Sequence, residues 1–414
     1  MALPSRLPSL AHRDFRNFMI GSFVSNVGGY MQTAAIAFHV YQLTHKSLAV
    51  GGMGLVRVVP LLILGLFGGY LADQFDRRGI VLVTNFIQAV VAGILVYIAF
   101  SGQATLTSLY AIVAINAATG AFAGPARQAI VPGLVPVEVF PNAASVNGIQ
   151  FRLAEVLGPT LAGLAIASGG MFGLDGLSLC YLANAVSFFA VMIAVWLIPK
   201  RIVVRASDAN SPKEVLRTIA EGFAFVRRTH VLRNAMFIDF WATLMAGSSA
   251  LLPAFALHVL NVGEREYGYL TSASGFGALL ASVALAWMGT IRRQGACVIA
   301  MIATYGLATV FFGLSQTLWA AVICLAVTGA ADMISTVLRQ TIRQLATPDE
   351  MRGRMSAISM LFHMTGPQLG DFEAGAVADL TTVRISAVIG GVGSMGVAGW
   401  YWVRDTALKR YVHG

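Results

Sequence analysis

Charge is scarce in this 414-residue chain, where only 11% of the residues are Asp, Glu, Lys or Arg. An ordinary globular domain carries roughly a quarter. The 28 basic and 19 acidic side chains could not cover the surface of the two or three soluble domains this length would make. A soluble protein is therefore excluded. Cysteine is almost as rare. Cys180, Cys297 and Cys324 all fall within apolar stretches, where they read as small buried side chains rather than as a disulfide framework or a metal site. No Gly-x-x-x-x-Gly-Lys phosphate loop, His-Glu-x-x-His pair or metal-spaced Cys/His cluster occurs, so neither a cofactor nor catalysis is expected.

What fills the chain is apolar sequence. Hydrophobic residues make up 57% of it, and mean hydropathy is +0.73. Apolar stretches recur along the whole length, each long enough to cross a ~30 Å hydrocarbon core at about 1.5 Å per residue. Twelve segments read as spanning helices: 16–43, 48–72, 80–101, 105–127, 142–168, 174–198, 233–261, 267–290, 295–314, 317–340, 355–379 and 384–404. Basic residues precede the first of these, as in a signal peptide. That run is too long and lacks a small-residue cleavage site, so an uncleaved first span is expected.

The formal net charge of +9 raises nucleic acid as a partner. Its distribution points to the lipid bilayer instead. Of the 28 Lys and Arg, 23 lie in the N-terminal tail, the even-numbered loops and the C-terminal tail. Three lie in the opposite loops (Lys46, Arg265, Arg384) and two inside spans (Arg57, Arg152). Such an excess marks cytoplasmic loops, so both termini are expected in the cytoplasm and no nucleic acid is expected.

One long polar connector interrupts the pattern. Residues 199–232 carry Lys200, Arg201, Arg205, Lys213, Arg217, Arg227 and Arg228. Ser211-Pro212 reads as a helix start, and Val215, Ile219, Phe223 and Val226 follow at helical spacing. A cytoplasmic linker with an amphipathic helix is expected. The sequences on its two sides resemble each other. Arg127-Gln128, Ile130, Glu138, Gly158, Ala162 and Gly163 recur 212 residues later as Arg339-Gln340, Ile342, Glu350, Gly370, Ala374 and Gly375. Arg16-Asn17 matches Arg233-Asn234, and His39-Val40 matches His258-Val259, at offsets of 217 and 219. The expected architecture is all-α, with about twelve transmembrane helices in two pseudo-symmetric six-helix bundles, 1–198 and 233–414.

Residues 68–79 read Gly-Gly-Tyr-Leu-Ala-Asp-Gln-Phe-Asp-Arg-Arg-Gly. This loop resembles the G-x-L-A-D-x-x-x-R-R signature of the major facilitator superfamily. Asp76 stands where that signature usually has glycine, which resembles the branch containing the enterobactin exporter and related efflux proteins. Pro125–Pro132, Arg152-Leu153 followed by Gly158-Pro159, and Thr347–Arg354 resemble that branch as well. The resemblance implies a secondary transporter of the bacterial cytoplasmic membrane. It would export a small amphipathic molecule by alternating access in exchange for protons, and function as a monomer. Carried onto this chain, it implies a cytoplasmic gate of Gly69, Asp73, Arg77 and Arg78, with Arg127 as the ion-pair partner of Asp73.

Ionisable residues inside spans are costly and default to functional hypotheses. Arg152 and Glu155 share a helix face and form either a neutral local pair or a titrating site. Arg57 matches Asp371 in depth, so it is expected to pair with Asp371 or Glu373, which point in different directions. Asp332 shares a face with Arg339 and is a candidate proton or substrate site. Asp239 lies only six residues into its span, where solvation is the leading reading. His39 and His258 occupy matching positions, and Asn26, Gln32 and Asn116 are candidate cavity residues. An uptake symporter or facilitator on the same fold is the alternative, and a membrane-embedded enzyme or sensor the remote one.

Overall fold

The computed structural model describes residues 7–169, 173–199, 212–288, 291–348 and 351–411, without the side chains of 66–74, 212–219, 352–354, 356–357, 361 and 406. No β-strand occurs among the described residues. The helices are α1 (Arg13–Thr44), α2 (Ser47–Gln74), α3 (Arg77–Phe100), α4 (Leu106–Ile130), α5 (Phe140–Ala167), α6 (Gly176–Trp196), α7 (Pro212–Arg228) and α8 (His230–Met245). There follow α9 (Leu252–Ala254), α10 (Glu264–Met288), α11 (Gln294–Leu314), α12 (Leu318–Ala346), α13 (Arg352–Leu380), α14 (Val383–Arg404) and α15 (Thr406–Lys409). Residues 200–211 of the expected linker lie outside the described residues.

Polar side chains set where several helices begin, because the first backbone N–H groups of a helix have no partner within it. Thr105 Oγ1 accepts from the Ser108 N–H at 3.2 Å, and Ser108 Oγ accepts from the Thr105 N–H at 3.0 Å, which starts α4. Asp175 starts α6 by accepting from the Ser178 N–H at 3.2 Å. Asp76, the departure from the loop signature, accepts from the Arg78 N–H at 3.0 Å and so caps α3.

Among the described residues, ten of the expected spans are both long and apolar enough to cross a membrane. The two helices missing from that set, α1 with 32 residues and α13 with 29, have the length. They fall short in hydropathy because α1 carries Asn26 and Gln32, and α13 carries His363, Asp371 and Glu373. Both polar helices bear on the sites described below.

Segment 233–261, expected as one continuous span, is instead broken. α8 ends at Met245, and a 3-10 turn at Ser249–Leu251, α9 and a π-helical turn at Phe255–Val259 complete the crossing. The local sequence accounts for the break. Gly247, Ser248 and Ser249 are weak helix formers. Pro253 lacks an N–H and fits where a fresh helical segment starts.

By proximity the chain divides into two compact units: residues up to His39 with Val59–Pro212, and Val40–Val58 with residues from Lys213 onward. The first has its core where Phe15 and Phe18 of α1 meet Val81, Ile130 and Val191. The second packs Ile238 of α8 against Val298, Ile302, Leu338 and Ile342. Helix pairs in lipid associate through close backbone approach at small residues. At the α10–α12 crossing a Cβ on Gly277 would strike the Ala326 carbonyl, and one on Gly329 the Ser274 carbonyl. Overpacking such a contact costs about 1–3 kcal/mol. Gly277→Leu should therefore lower the thermal unfolding midpoint in detergent by roughly 2–6 °C. Gly93→Leu, where the added atoms meet open space, should leave that midpoint nearly unchanged.

Candidate functional site

The first unit holds a cavity of about 450 Å³. Its walls are rich in amides: Asn26 and Gln32 from α1, Asn116 from α4, Gln150 from α5 and Asn184 from α6. All three cavity candidates from the sequence are among them. The amides are partly ordered by one another, with Asn184 Nδ2 donating to Gln32 Oε1 at 2.8 Å and Asn26 Nδ2 to Gln150 Oε1 at 3.4 Å. Tyr30 and Phe151 meet edge to face at 5.7 Å on the same wall. Among the described residues, Arg127 is the single charged side chain of the lining, with no carboxylate beside it. Its guanidinium donates to Asn85 Oδ1 at 2.5 Å and Ser25 Oγ at 3.4 Å, both neutral. Beside the cavity, Arg152 Nη1 and Glu155 Oε2 form the local pair at 2.7 Å, each side chain a little over a quarter exposed.

The side chains of Gly69 and Asp73 lie outside the described residues, so no partner is assigned to Asp73 here. The two arginines of the loop signature do have visible work. Arg77 donates to the Ala129 carbonyl at 3.1 Å, and Arg78 to the Trp196 carbonyl. Those carbonyls close the last turns of α4 and α6, which carry the negative end of each helix dipole. The pair therefore ties the loop to two helix ends.

The second unit gathers charge. Asp239, expected to be solvated, is buried against Arg339, with Oδ1 2.5 Å from Nη1. Arg339 also lies 3.8 Å from Asp332 and donates to Thr336 Oγ1 at 2.8 Å. His363 Nδ1 of α13 lies 3.5 Å from Asp239 Oδ2. Distance from the span end misjudged Asp239 because helix packing, not depth alone, excludes water there. Neither Asp239 nor His363 stood out as a site residue in the sequence. The one available signal was the repeat: the 217-residue offset maps Ser22, a cavity residue, onto Asp239, while Arg127 maps onto Arg339.

Asp371 occupies the break after α8. Its Oδ1 accepts from the Ser249 N–H at 3.1 Å and the Ala250 N–H at 3.3 Å, where the new helical segment presents its positive end. On the other side of the break, the Tyr305 hydroxyl donates to the Ala246 carbonyl at 3.1 Å. A side chain on Gly247 would strike the Gly370 carbonyl, and one on Gly370 the Thr243 carbonyl. Arg57 is within electrostatic reach of Asp371, but no direct ion pair joins it to Asp371 or Glu373 among the described residues. Glu373 is half-buried. His39 Nδ1 lies 3.1 Å from the Tyr181 hydroxyl, and His258 packs against the Tyr41 ring.

Membrane-length helices around an amide-lined cavity, with a broken span and buried charges, define a membrane transporter of the major facilitator fold. Solved structures share that fold. A bacterial homologue of the human lysosomal transporter Spinster is similar with a TM-score of 0.75 and 14% identity over 99% of each chain. The xylose transporter XylE of E. coli gives a TM-score of 0.71 and 12% identity over 96% of this chain and 98% of its own. The chain belongs to the transmembrane secretion effector family, which matches residues 4–404. It is 26% identical to the enterobactin exporter EntS of Salmonella choleraesuis over 394 residues, covering 92% of this chain and 90% of that one. Identity to EntS of Citrobacter koseri is 25% over 390 residues, covering 92% and 89%. These relatives are transporters rather than enzymes.

A buried ion pair deprived of one partner leaves an uncompensated charge, which costs about 3–5 kcal/mol. Asp239→Ala and Arg339→Ala should each sharply reduce folded yield and thermal stability. The double variant Asp239→Ala with Arg339→Leu should recover most of the loss, as read by size-exclusion profile and melting midpoint.

Proposed function

We propose that this protein exports a small amphipathic molecule, such as a siderophore, drug or metabolite, across the bacterial cytoplasmic membrane in exchange for protons. The observation that carries this reading is the similarity to enterobactin exporters over nine-tenths of the chain. The bundles 1–198 and 233–414 would alternate around the cargo as a functional monomer, with 199–232 as the cytoplasmic linker and both termini in the cytoplasm. The Arg127 guanidinium in the cavity lining suits neutral or anionic cargo. The amides supply donors and acceptors, and the aromatic rings supply apolar contact.

In this scheme Gly69, Asp73, Arg77, Arg78 and Arg127 form the cytoplasmic gate. The Arg57 guanidinium and Asp371, within electrostatic reach of each other where the start of α2 up to Val58 shares a compact unit with α13, serve the outer gate. Glu155, Asp332, Asp371 and Glu373 are the carboxylates available for proton exchange. The test is accumulation of enterobactin and a panel of amphipathic compounds in cells lacking or overproducing the protein. Overproduction should lower accumulation of at least one compound by about twofold or more, and a protonophore should abolish the difference. Raised accumulation would instead mean uptake. An unchanged effect under protonophore would remove the coupling and leave the fold untouched.

A further inference from the structure

The second unit carries a cavity of its own, of about 450 Å³, away from the amide-lined one. Its lining includes Tyr41 of α1, His45, Ser47 of α2, His258 of the π-helical turn, Asp379 of α13 and Arg384 of α14. Each lies near the end or start of its helical element, so the pocket sits where the chain leaves the spans. By sequence, this is the side opposite the basic-rich loops, with only Lys46, Arg265 and Arg384 as basic residues. Lys46 stands between His45 and Ser47, and Arg384 is in the lining itself. Two of the three exceptions to the charge bias of the loops thus belong to one pocket.

Backbone contacts hold the walls. Asp379 Oδ1 accepts the Ser47 N–H at 2.9 Å, and a Cβ on Gly375 would strike the Ser47 carbonyl, so α2 begins directly against α13. The chain turns between α1 and α2 through left-handed backbone at His45, with φ of +53°. That turn sets the His45 ring 6.2 Å from the buried Tyr41 ring, which the His258 ring approaches to 5.8 Å. Asp379 and Arg384 are both exposed, and no ion pair joins them among the described residues. Opposite charges held apart in one pocket match a ligand that carries an ammonium and an anionic oxygen group at once. Apolar side chains border the same place: Leu43, Leu380 and Ile385, next to or within two residues of the lining, are 44%, 85% and 46% exposed. A rim of that kind suits acyl chains better than it suits a free solute.

We propose that this pocket binds the headgroup of a zwitterionic aminophospholipid of the outer leaflet, with the ammonium on Asp379 and the phosphate on Arg384 and the two imidazoles. The planar guanidinium matches a phosphate in geometry as well as charge. The carboxylate takes hydrogen bonds from a primary ammonium, which a trimethylated one lacks. A bound headgroup ties together the start of α2, the outer piece of the broken span and the turn from α13 to α14. Placement in the outer leaflet rests on the topology of the export reading above, whereas the ligand chemistry does not.

The test follows the melting midpoint of the full-length protein in detergent during titration with dihexanoyl phospholipids. The ethanolamine lipid should raise the midpoint saturably, with half-effect at a concentration at least about threefold lower than its choline and glycerol counterparts. Asp379→Asn keeps an oxygen for the Ser47 N–H; it should remove the ethanolamine preference and leave the response to the glycerol lipid unchanged. Arg384→Gln should weaken all three lipids by about threefold or more. Arg265→Gln, on the same side but outside the pocket, should weaken none. Should Asp379→Asn fold poorly, the exposed Arg384 carries the comparison alone. Equal response of the wild-type protein to all three headgroups, or an unchanged response in the pocket variants, would overturn the site. Glycerophosphoethanolamine, which has the headgroup without acyl chains, should act at least about tenfold more weakly. Equal potency would overturn the lipid as its source. Finally, Leu380→Cys in spheroplasts should react with a membrane-impermeant maleimide above the level of the parent chain. Reaction only after lysis would overturn the outer leaflet and the topology of the export reading, and the binding result would stand.

Discussion

Hydrocarbon offers no hydrogen bonds, so each polar group carried into a span must be answered by another part of the same protein. The broken span shows the constraint most directly. Interrupting a helix releases N–H groups on one side and carbonyls on the other. Asp371 takes the N–H groups of Ser249 and Ala250, and the Tyr305 hydroxyl takes the Ala246 carbonyl. Without α11 and α13 bringing those two side chains to the gap, the break at Gly247 would be too costly to keep. The same requirement places Arg339 against Asp239 and orders the amides of the first unit in pairs.

The two units answer the constraint with different chemistry on a repeated frame. Arg127 and Arg339 stand 212 residues apart at equivalent positions. In the first unit the guanidinium rests on an amide and a hydroxyl beside a roomy cavity. In the second it is enclosed by two carboxylates and approached by an imidazole, with scarcely a void beside it. One copy of the frame provides space and hydrogen-bonding groups, and the other provides titratable groups.

Much of this was legible in the sequence because it is periodic or local. Span lengths follow from apolar runs, and Arg152–Glu155 is a neighbour pair on one helix face. The cavity residues Asn26, Gln32 and Asn116 were visible as polar positions in apolar helices. What escaped was long-range. Asp239 is separated by 100 residues from Arg339 and by 124 from His363, and no local spacing joins residues so far apart. The break was hidden for another reason. Gly247, Ser248, Ser249 and Pro253 mark it locally, but the segment stays apolar enough on average to read as one span, and hydropathy does not distinguish a continuous helix from one that stops and restarts. The expected pairing of Arg57 with Asp371 rested on matched depth, which does not reveal that Oδ1 of the carboxylate also accepts from two backbone N–H groups.

A span in two pieces behaves mechanically as a jointed arm rather than as a rod. α8 and the segment beginning at Ser249 share no unbroken hydrogen-bond ladder, so torque applied to one is not passed to the other along the backbone. What couples them is a pair of side chains from other helices, which makes α13 the tendon across the joint. Displacement at one end of this crossing can then be large while the other end stays seated. The carboxylate of Asp371, more than the length of the helix, determines how stiff the arm is.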